Sequence, residues 1–205
     1  MKYLAKIPMK LPPQEALTEE EAEAILRQTH DPKKGSLRDY CILSLMLHTG
    51  LRRAEIASLK VGSLSGQGNK LWLIVFGKGQ KYRKIPLKNE LLIERLGKYL
   101  EKVGNKGKLE APMFLTRSQR GGRPIQAITP ETIRRVVEKY SKLANIQKRV
   151  SSHTLRHTFL TRALEKTGDL AGVRDLAGHS SIQTTNRYLH SSEERMEKII
   201  EKLGL

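Results

Sequence analysis

The sequence predicts a mainly α-helical chain with a small antiparallel β-hairpin sheet, an α+β arrangement, and three observations carry that reading. Apolar residues recur at helical spacing through most of the chain, as in Met196, Ile199, Ile200 and Leu203 at i, i+3, i+4 and i+7. Helix-start chemistry precedes such stretches, as in the capping box Thr18/Glu21 and the Thr129-Pro130 pair. One pair of strand-like runs, 71–76 and 82–87, brackets a loop of Gly, Lys and Gln. At 205 residues the chain can bury a core as one domain, or at most two small ones.

The elements follow in order. Met1 to Ala16 is Pro- and Lys-rich without a regular pattern and reads as a linker-like segment, with one domain expected over 17–205. Thr18 opens a helix whose apolar face includes Ala22, Ile25 and Leu26. Leu37 to His48 is helical by apolar density and is broken by Gly50; a second helix starts near Arg53 and runs to about Leu59. The hairpin strands are Leu71–Phe76 and Tyr82–Leu87 around Gly77–Lys81. Helices are then expected over Glu90–Leu100, Pro130–Leu143, His153–Lys166, Leu170–Leu176, Ile182–Leu189 and Glu193–Leu203. No internal repeat or low-complexity tract interrupts them.

Charge narrows the function classes. With 38 Lys plus Arg against 21 Asp plus Glu the net charge is +17. That points to a polyanion partner, nucleic acid first, with an anionic membrane surface or ribosomal association as alternatives. The acids Glu15, Glu19, Glu20, Glu21, Glu23 and Asp31 crowd one early segment, which should face away from a polyanion. Residues 111–130 and 139–164 contain no acid, making them candidate contact surface. Cys41 is the single cysteine, so an internal disulfide is impossible; it lies in an apolar run and is expected as a buried thiol. A reducing, cytoplasmic compartment fits. The longest apolar stretch falls short of the roughly 18 residues of a membrane span, so a soluble chain is expected.

Several chemistries find no support. His153 and His157 share a helix face, but no Glu lies between them to act as a hydrolase base, and Arg156 disfavours a bound cation. Gly77-Lys78-Gly79 lacks the rest of a phosphate-binding P-loop, and no Gly-x-Ser-x-Gly elbow occurs. What remains is Arg52, Lys78, His153, Arg156, His179 and Tyr188, cationic and phosphate-liking groups at turns and helix starts. Two guanidiniums can grip the non-bridging oxygens of a phosphodiester, a phenol can attack it, and a Lys or His can move the proton. No metal and no cofactor is required. Singly, each of these residues has a structural alternative: a helix-end Arg, a hairpin-tip Lys, a packed Tyr.

Four blocks, Thr49-Gly-Leu-Arg-Arg-Ala-Glu-Ile-Ala-Ser-Leu59, Gly77-Lys-Gly79, His153-Thr-Leu-Arg-His157 and Leu176-Ala-Gly-His-Ser-Ser-Ile-Gln-Thr-Thr-Asn-Arg-Tyr188, resemble the tyrosine recombinase (phage integrase) family in order and spacing. The resemblance implies that family's catalytic-domain fold, with Arg52 and Arg156 clamping the phosphate and Lys78 protonating the leaving 5′ hydroxyl. By the same resemblance His153 is a general acid/base, His179 hydrogen-bonds the scissile phosphate, Tyr188 is the nucleophile, and Glu55 helps hold the site together. Arg53, Lys81, Arg83, Lys84, Arg117, Arg120, Arg123, Lys148 and Arg149 are read as DNA-backbone contacts.

The resemblance implies a site-specific recombinase or integrase acting on double-stranded DNA through a 3′-phosphotyrosyl intermediate. It further implies other protomers in a synaptic tetramer, docked through the helix 193–203, with an intramolecular lid as the alternative use of that helix. The chain begins at what resembles the interdomain linker, so the family's amino-terminal core-binding domain is expected to be absent. A cytoplasmic location fits, nucleoid-associated if the source is prokaryotic. Type IB topoisomerase-like relaxation and a non-catalytic DNA-binding fragment remain rival readings.

Overall fold

The structure is a computed structural model that describes residues 16–31, 33, 35–67, 70–77, 82–116, 125–178 and 189–204, with the side chains of 67 and 189–195 left aside. Helices α1 (Glu19–Arg27), α2 (Leu37–Thr49) and α3 (Arg53–Ser58) lead into strands β1 (Leu64–Gln67), β2 (Lys70–Phe76) and β3 (Tyr82–Leu87). Helices α4 (Glu90–Lys102), α5 (Pro130–Leu143), α6 (Ser152–Thr167), α7 (Leu170–Ala177) and α8 (Leu189–Lys202) complete the described chain. The architecture is the one expected: mostly helix, with one small antiparallel sheet.

Helix α2 is the centre of the core. Its side chains are apolar almost all round, and a helix of that kind is stable only when neighbours cover every face. Accordingly α1, α4, α5 and α6 all pack on it, and Cys41, Ile42, Leu43, Leu45 and Met46 have no exposed surface. Burial pushes the Cys41 thiol up to about 12, as expected of an inert structural cysteine. The two charged residues drawn in with it are neutralised locally. Arg38 Nε donates to Asp39 Oδ1 at 2.9 Å, Arg38 Nη1 donates to the Leu115 carbonyl at 2.8 Å, and Tyr140 Oη donates to Asp39 Oδ2 at 3.1 Å.

Helix starts match their sequence signals. The Thr18 hydroxyl accepts from Glu21 N–H while Glu21 accepts from Thr18 N–H, and Thr129 caps α5 with Pro130 in its first turn. The sheet differs from expectation by one strand. β1 pairs antiparallel with β2 (Leu64↔Leu73 to Gln67↔Lys70), making the order β1-β2-β3. One leucine followed by three polar or small residues carries too little pattern to read as a strand, although Gly68-Asn69 before β2 is a hairpin-turn dipeptide by sequence. The β2/β3 hairpin has the expected bounds except that β2 starts one residue earlier, at Lys70, and it closes on Phe76↔Tyr82.

Of the expected helix Ile182–Leu189, residues 182–188 lie outside the described residues and Leu189 belongs to α8. The apolar stripe of α8 is buried within the chain: Met196, Ile199, Ile200 and Leu203 are each at most 7 % exposed. They pack toward α6, α7 and β3, and Lys70 Nζ reaches Glu197 Oε1 at 2.7 Å. In this structure the helix is the intramolecular cover.

Candidate active site

Gly50 sets the first half of the site. It ends α2 in the left-handed conformation (φ +62°), and a Cβ there would lie 2.5 Å from Phe159 Cδ1 of α6. Only glycine fits both the turn and the close approach of the two helices. The chain then turns through Leu51 to Arg52, the N-cap of α3. Glu55, at the third position of that helix, reaches back to accept from the Arg52 backbone N–H at 2.8 Å, and Arg52 Nη1 donates to Glu55 Oε1 at 3.2 Å. Arg52 keeps 38 % of its side-chain surface exposed, whereas Glu55 keeps 8 %. The carboxylate is the buried anchor and the guanidinium the accessible group.

A second arginine completes the carboxylate's coordination. Arg83 on β3 donates from Nη1 to Glu55 Oε1 and from Nη2 to Glu55 Oε2, both at 3.0 Å. Burial pushes the Glu55 carboxyl up, but the Arg83 hydrogen bonds, the Arg52 N–H and both positive charges outweigh it and hold the group below its ordinary range.

Arg156 supplies the second half. Helix α6 starts at the N-cap Ser151, whose hydroxyl accepts from Thr154 N–H at 3.2 Å, and His153 stands exposed in its first turn. Three residues on, Arg156 is 6 % exposed, donating from Nη1 to the Gly50 carbonyl at 2.5 Å and from Nη2 to the Ala177 carbonyl at 2.6 Å. Those carbonyls lie two residues before Arg52 and two before His179. Arg156 therefore ties the α2–α3 turn to the end of α7. Desolvation lowers Arg156 to about 10, the Arg52 charge adds to the fall, Glu55 opposes it and Arg83 adds a little more. Three guanidiniums and one carboxylate share this corner of the fold, leaving a local excess of positive charge suited to an anion.

The structure thus brings Arg52, Glu55 and Arg156 together and puts His153 one helical turn before Arg156. Lys78, His179 and Tyr188 lie outside the described residues, as do Lys81, Arg117, Arg120 and Arg123. Gly77, after β2, directly precedes Lys78 in sequence, and Gly178 ends α7 immediately before His179. Arg53 and Arg149 are exposed and Lys84 is half-buried on β3. Two of the expected DNA-backbone contacts are paired within the chain. Arg83 has only 11 % of its side chain exposed and its charge is committed to Glu55. Lys148 donates to the Ala16 carbonyl at 2.8 Å and pairs with Glu21 at 2.7 Å, so the acidic helix α1 neutralises it. A charge run in the sequence does not reveal which cations fold back onto carboxylates. The carbonyls of Gly50 and Ala177 carried no sequence signal at all, since backbone acceptors look alike in every residue.

No group of three or more potential metal ligands occurs among the described residues, and no described helix is long and apolar enough to cross a membrane.

This corner sets the accessible Arg52 guanidinium, held by the buried Glu55 carboxylate, near the carbonyl-bound Arg156 and beside a β-hairpin. The description "Phage integrase family" matches residues 15–195. A tyrosine recombinase of Pseudothermotoga lettingae is 39% identical over 166 residues, which are 81% of this chain and 54% of that protein. Tyrosine recombinase XerA of Pyrococcus furiosus is 32% identical over 200 residues, 98% of this chain and 65% of that one. Among solved structures, the post-cleavage complex of the XerH site-specific recombinase bound to palindromic difH substrate superposes with a TM-score of 0.67 at 26% identity, covering 90% of this chain and 52% of that one. The chain belongs to the phage integrase family, the tyrosine recombinases, and spans between half and two thirds of the length of these relatives.

Proposed function

We propose that residues 17–205 act as the catalytic domain of a site-specific DNA recombinase that cuts and rejoins strands through Tyr188. The observation that carries this reading is the Arg52–Glu55–Arg156 arrangement: an accessible guanidinium held by a buried carboxylate, next to a second guanidinium fixed by two carbonyls. Such a pair suits the non-bridging oxygens of one phosphodiester, and it is worth most where charge builds in a pentacoordinate transition state.

The reaction runs as a balanced displacement. The Tyr188 phenol oxygen attacks phosphorus as His153 accepts its proton, a Tyr–O–P bond forms to the 3′ phosphate, and the P–O5′ bond breaks. Lys78 delivers a proton to the departing 5′ oxygen, and His179 hydrogen-bonds the phosphate. Rejoining is the reverse, with a 5′ hydroxyl as nucleophile. Every step is proton and phosphoryl transfer among side chains, so no metal or cofactor is invoked. The similarity to named recombinases favours this over topoisomerase-like relaxation.

Double-stranded DNA is the substrate, bound in the cytoplasm and at the nucleoid in a prokaryote, and of the described residues Arg53, Lys84 and Arg149 are the ones proposed to contact its backbone. Recombination needs more than one protomer. The helix Glu193–Leu203 serves that assembly if it leaves its intramolecular seat for a neighbour; deleting residues 193–205 should then abolish DNA-induced assembly, and unchanged assembly contradicts the role.

The test of the function is a nicked suicide duplex. Wild type should form a denaturant-stable protein–DNA adduct and Tyr188→Phe should not. Absence of an adduct on duplexes carrying cognate sites, or its persistence in Tyr188→Phe, overturns the reading.

A further inference from the structure

We infer that Arg83 is a positioning residue of the active site, acting through Glu55 on Arg52 and packing against Gly178 beside His179, rather than a contact to the DNA backbone. The inference rests on the recombinase reading above and deepens it.

Three observations combine. The first is the fork: both Nη atoms of Arg83 bond both oxygens of Glu55 at 3.0 Å, the planar bidentate geometry that fixes a carboxylate in orientation as well as position. With Arg83 in place, Oε2 also faces the Arg52 N–H and Oε1 also faces Arg52 Nη1. Rotation of the carboxylate would break bonds on both sides, so the plane set by Arg83 sets where the Arg52 guanidinium lies.

The second is the closeness of Gly178. A Cβ at that position would lie 2.8 Å from Arg83 Nη1 and 3.1 Å from its Cζ, at a backbone φ of +60°. The end of α7 therefore rests on the Arg83 guanidinium with no room for a side chain between them. One planar group thus touches the α3 start, through Glu55, and the residue immediately before His179. It also sits on β3, opposite Val75 of β2, the strand that ends two residues before Lys78 in sequence. Arg83 is where three segments bearing expected catalytic residues meet.

The third is what Arg83 lacks. Its side chain is 11 % exposed, and its Nε has no hydrogen-bond partner among the described residues. A guanidinium that reached DNA would be exposed and would keep its charge for phosphate. This one is enclosed, faces a carboxylate, and tolerates an unmatched buried N–H. Such a group is costly, and here its cost is offset by the bidentate pair.

The proposal separates from a phosphate contact by what each does to binding and to rate. The 205-residue chain is assayed on the nicked suicide duplex for adduct formation at saturating DNA and for duplex affinity across a salt series, as wild type, Arg83→Gln, Arg83→Lys, Glu55→Gln and the double variant Arg83→Gln/Glu55→Gln. A positioning role predicts that Arg83→Gln slows adduct formation on the order of 100-fold, the scale of an ångström-level misplacement. Affinity and the slope of log K against log salt should stay as in wild type. Arg83→Lys should recover part of the rate, and the double variant should be no slower than the slower single one, because both act through one contact. If Arg83→Gln fails to fold, Arg83→Lys carries the same comparison, since it keeps a cation opposite Glu55 and loses only the fork.

A slope smaller by about 0.9 with an unchanged rate at saturation makes Arg83 a phosphate contact and overturns the inference. So does a wild-type rate in Arg83→Gln, or a double variant slowed by the product of the single effects. Should wild type itself form no adduct, the recombinase reading falls. Arg83 is then judged by the sulfate-induced rise in melting temperature beyond that of Arg52→Ala, which Arg83→Gln should lose; if it keeps that rise, the inference falls as well.

Discussion

Glu55 and Arg83, 28 residues apart in sequence, are joined by two parallel hydrogen bonds of 3.0 Å that close the corner between helix α3 and strand β3. The same carboxylate holds Arg52 by its backbone N–H and its guanidinium. One buried anion thus organises two cations, and the stability of the corner and the position of the accessible Arg52 guanidinium share a cause.

Removing that anion should be costly. Glu55→Ala leaves the buried Arg83 charge unpaired and should lower unfolding free energy by about 3–5 kcal/mol in urea titration. The contribution should also depend on pH. Glu55 is held below the ordinary carboxylate range when folded, so the unfolded chain binds its proton more readily. Its stabilisation is complete above about pH 4.3 and is lost as pH falls through the lower folded value. Glu55→Gln should flatten that acid limb; an unchanged limb would mean that the pair contributes nothing.

Gly50 should resist substitution for two separable reasons. Gly50→Ala places a Cβ 2.5 Å from Phe159 and forces alanine into a positive φ. Backbone strain alone should cost about 1–3 kcal/mol, with the clash adding to it. Phe159→Leu in the Gly50→Ala background should restore the clash portion and leave the strain. A Gly50→Ala variant with the wild-type melting temperature would contradict the close packing of α2 on α6.

The arginine corner should bind a simple dianion. Desolvation and the neighbouring Arg52 charge already disfavour the charged form of Arg156, lowering it to about 10, and an anion relieves both. Sulfate at about ten times its dissociation constant should stabilise the chain by about 1.4 kcal/mol. Arg52→Ala should respond only as it does to other salts of equal ionic strength. Equal sulfate responses in the two proteins would argue against an anion site at Arg52.

Duplex binding should be steeply salt-dependent. Each neutralised phosphate contributes about −0.9 to the slope of log K against log salt. Arg149→Ala, which removes an exposed cation, should lessen the slope by about that amount, whereas Lys148→Ala should leave it unchanged because that ammonium is bound to Glu21. A slope equally reduced in both would restore Lys148 to the contact surface.

Much of the fold was legible because its signals are local. Thr18/Glu21, Thr129-Pro130 and the runs 71–76 and 82–87 each encode an element within a few residues, and each element forms where expected. Strand β1 was missed because its pairing partner, not its own composition, makes it a strand. The site divides the same way. Arg52, Glu55, His153 and Arg156 stand in short blocks that resemble those of a family, so sequence names them as candidates, and the structure sets Arg52, Glu55 and Arg156 in one corner. The inward turn of Arg83 and Lys148, and the Gly50 and Ala177 carbonyls that hold Arg156, depend on which distant segments meet. Charge in a sequence has a sign but no direction.

Tyr188 is proposed to become joined to a 3′ phosphate at the corner built by Arg52, Glu55 and Arg156. Peptide mapping of the adduct formed on a nicked suicide duplex, in buffer containing a metal chelator, tests it most directly. The expected result is a single modified peptide containing Tyr188, carrying DNA through its 3′ phosphate, with adduct formation slowed sharply by Arg52→Ala. An adduct through a 5′ phosphate, a modified residue other than Tyr188, or one that disappears on chelation would contradict it.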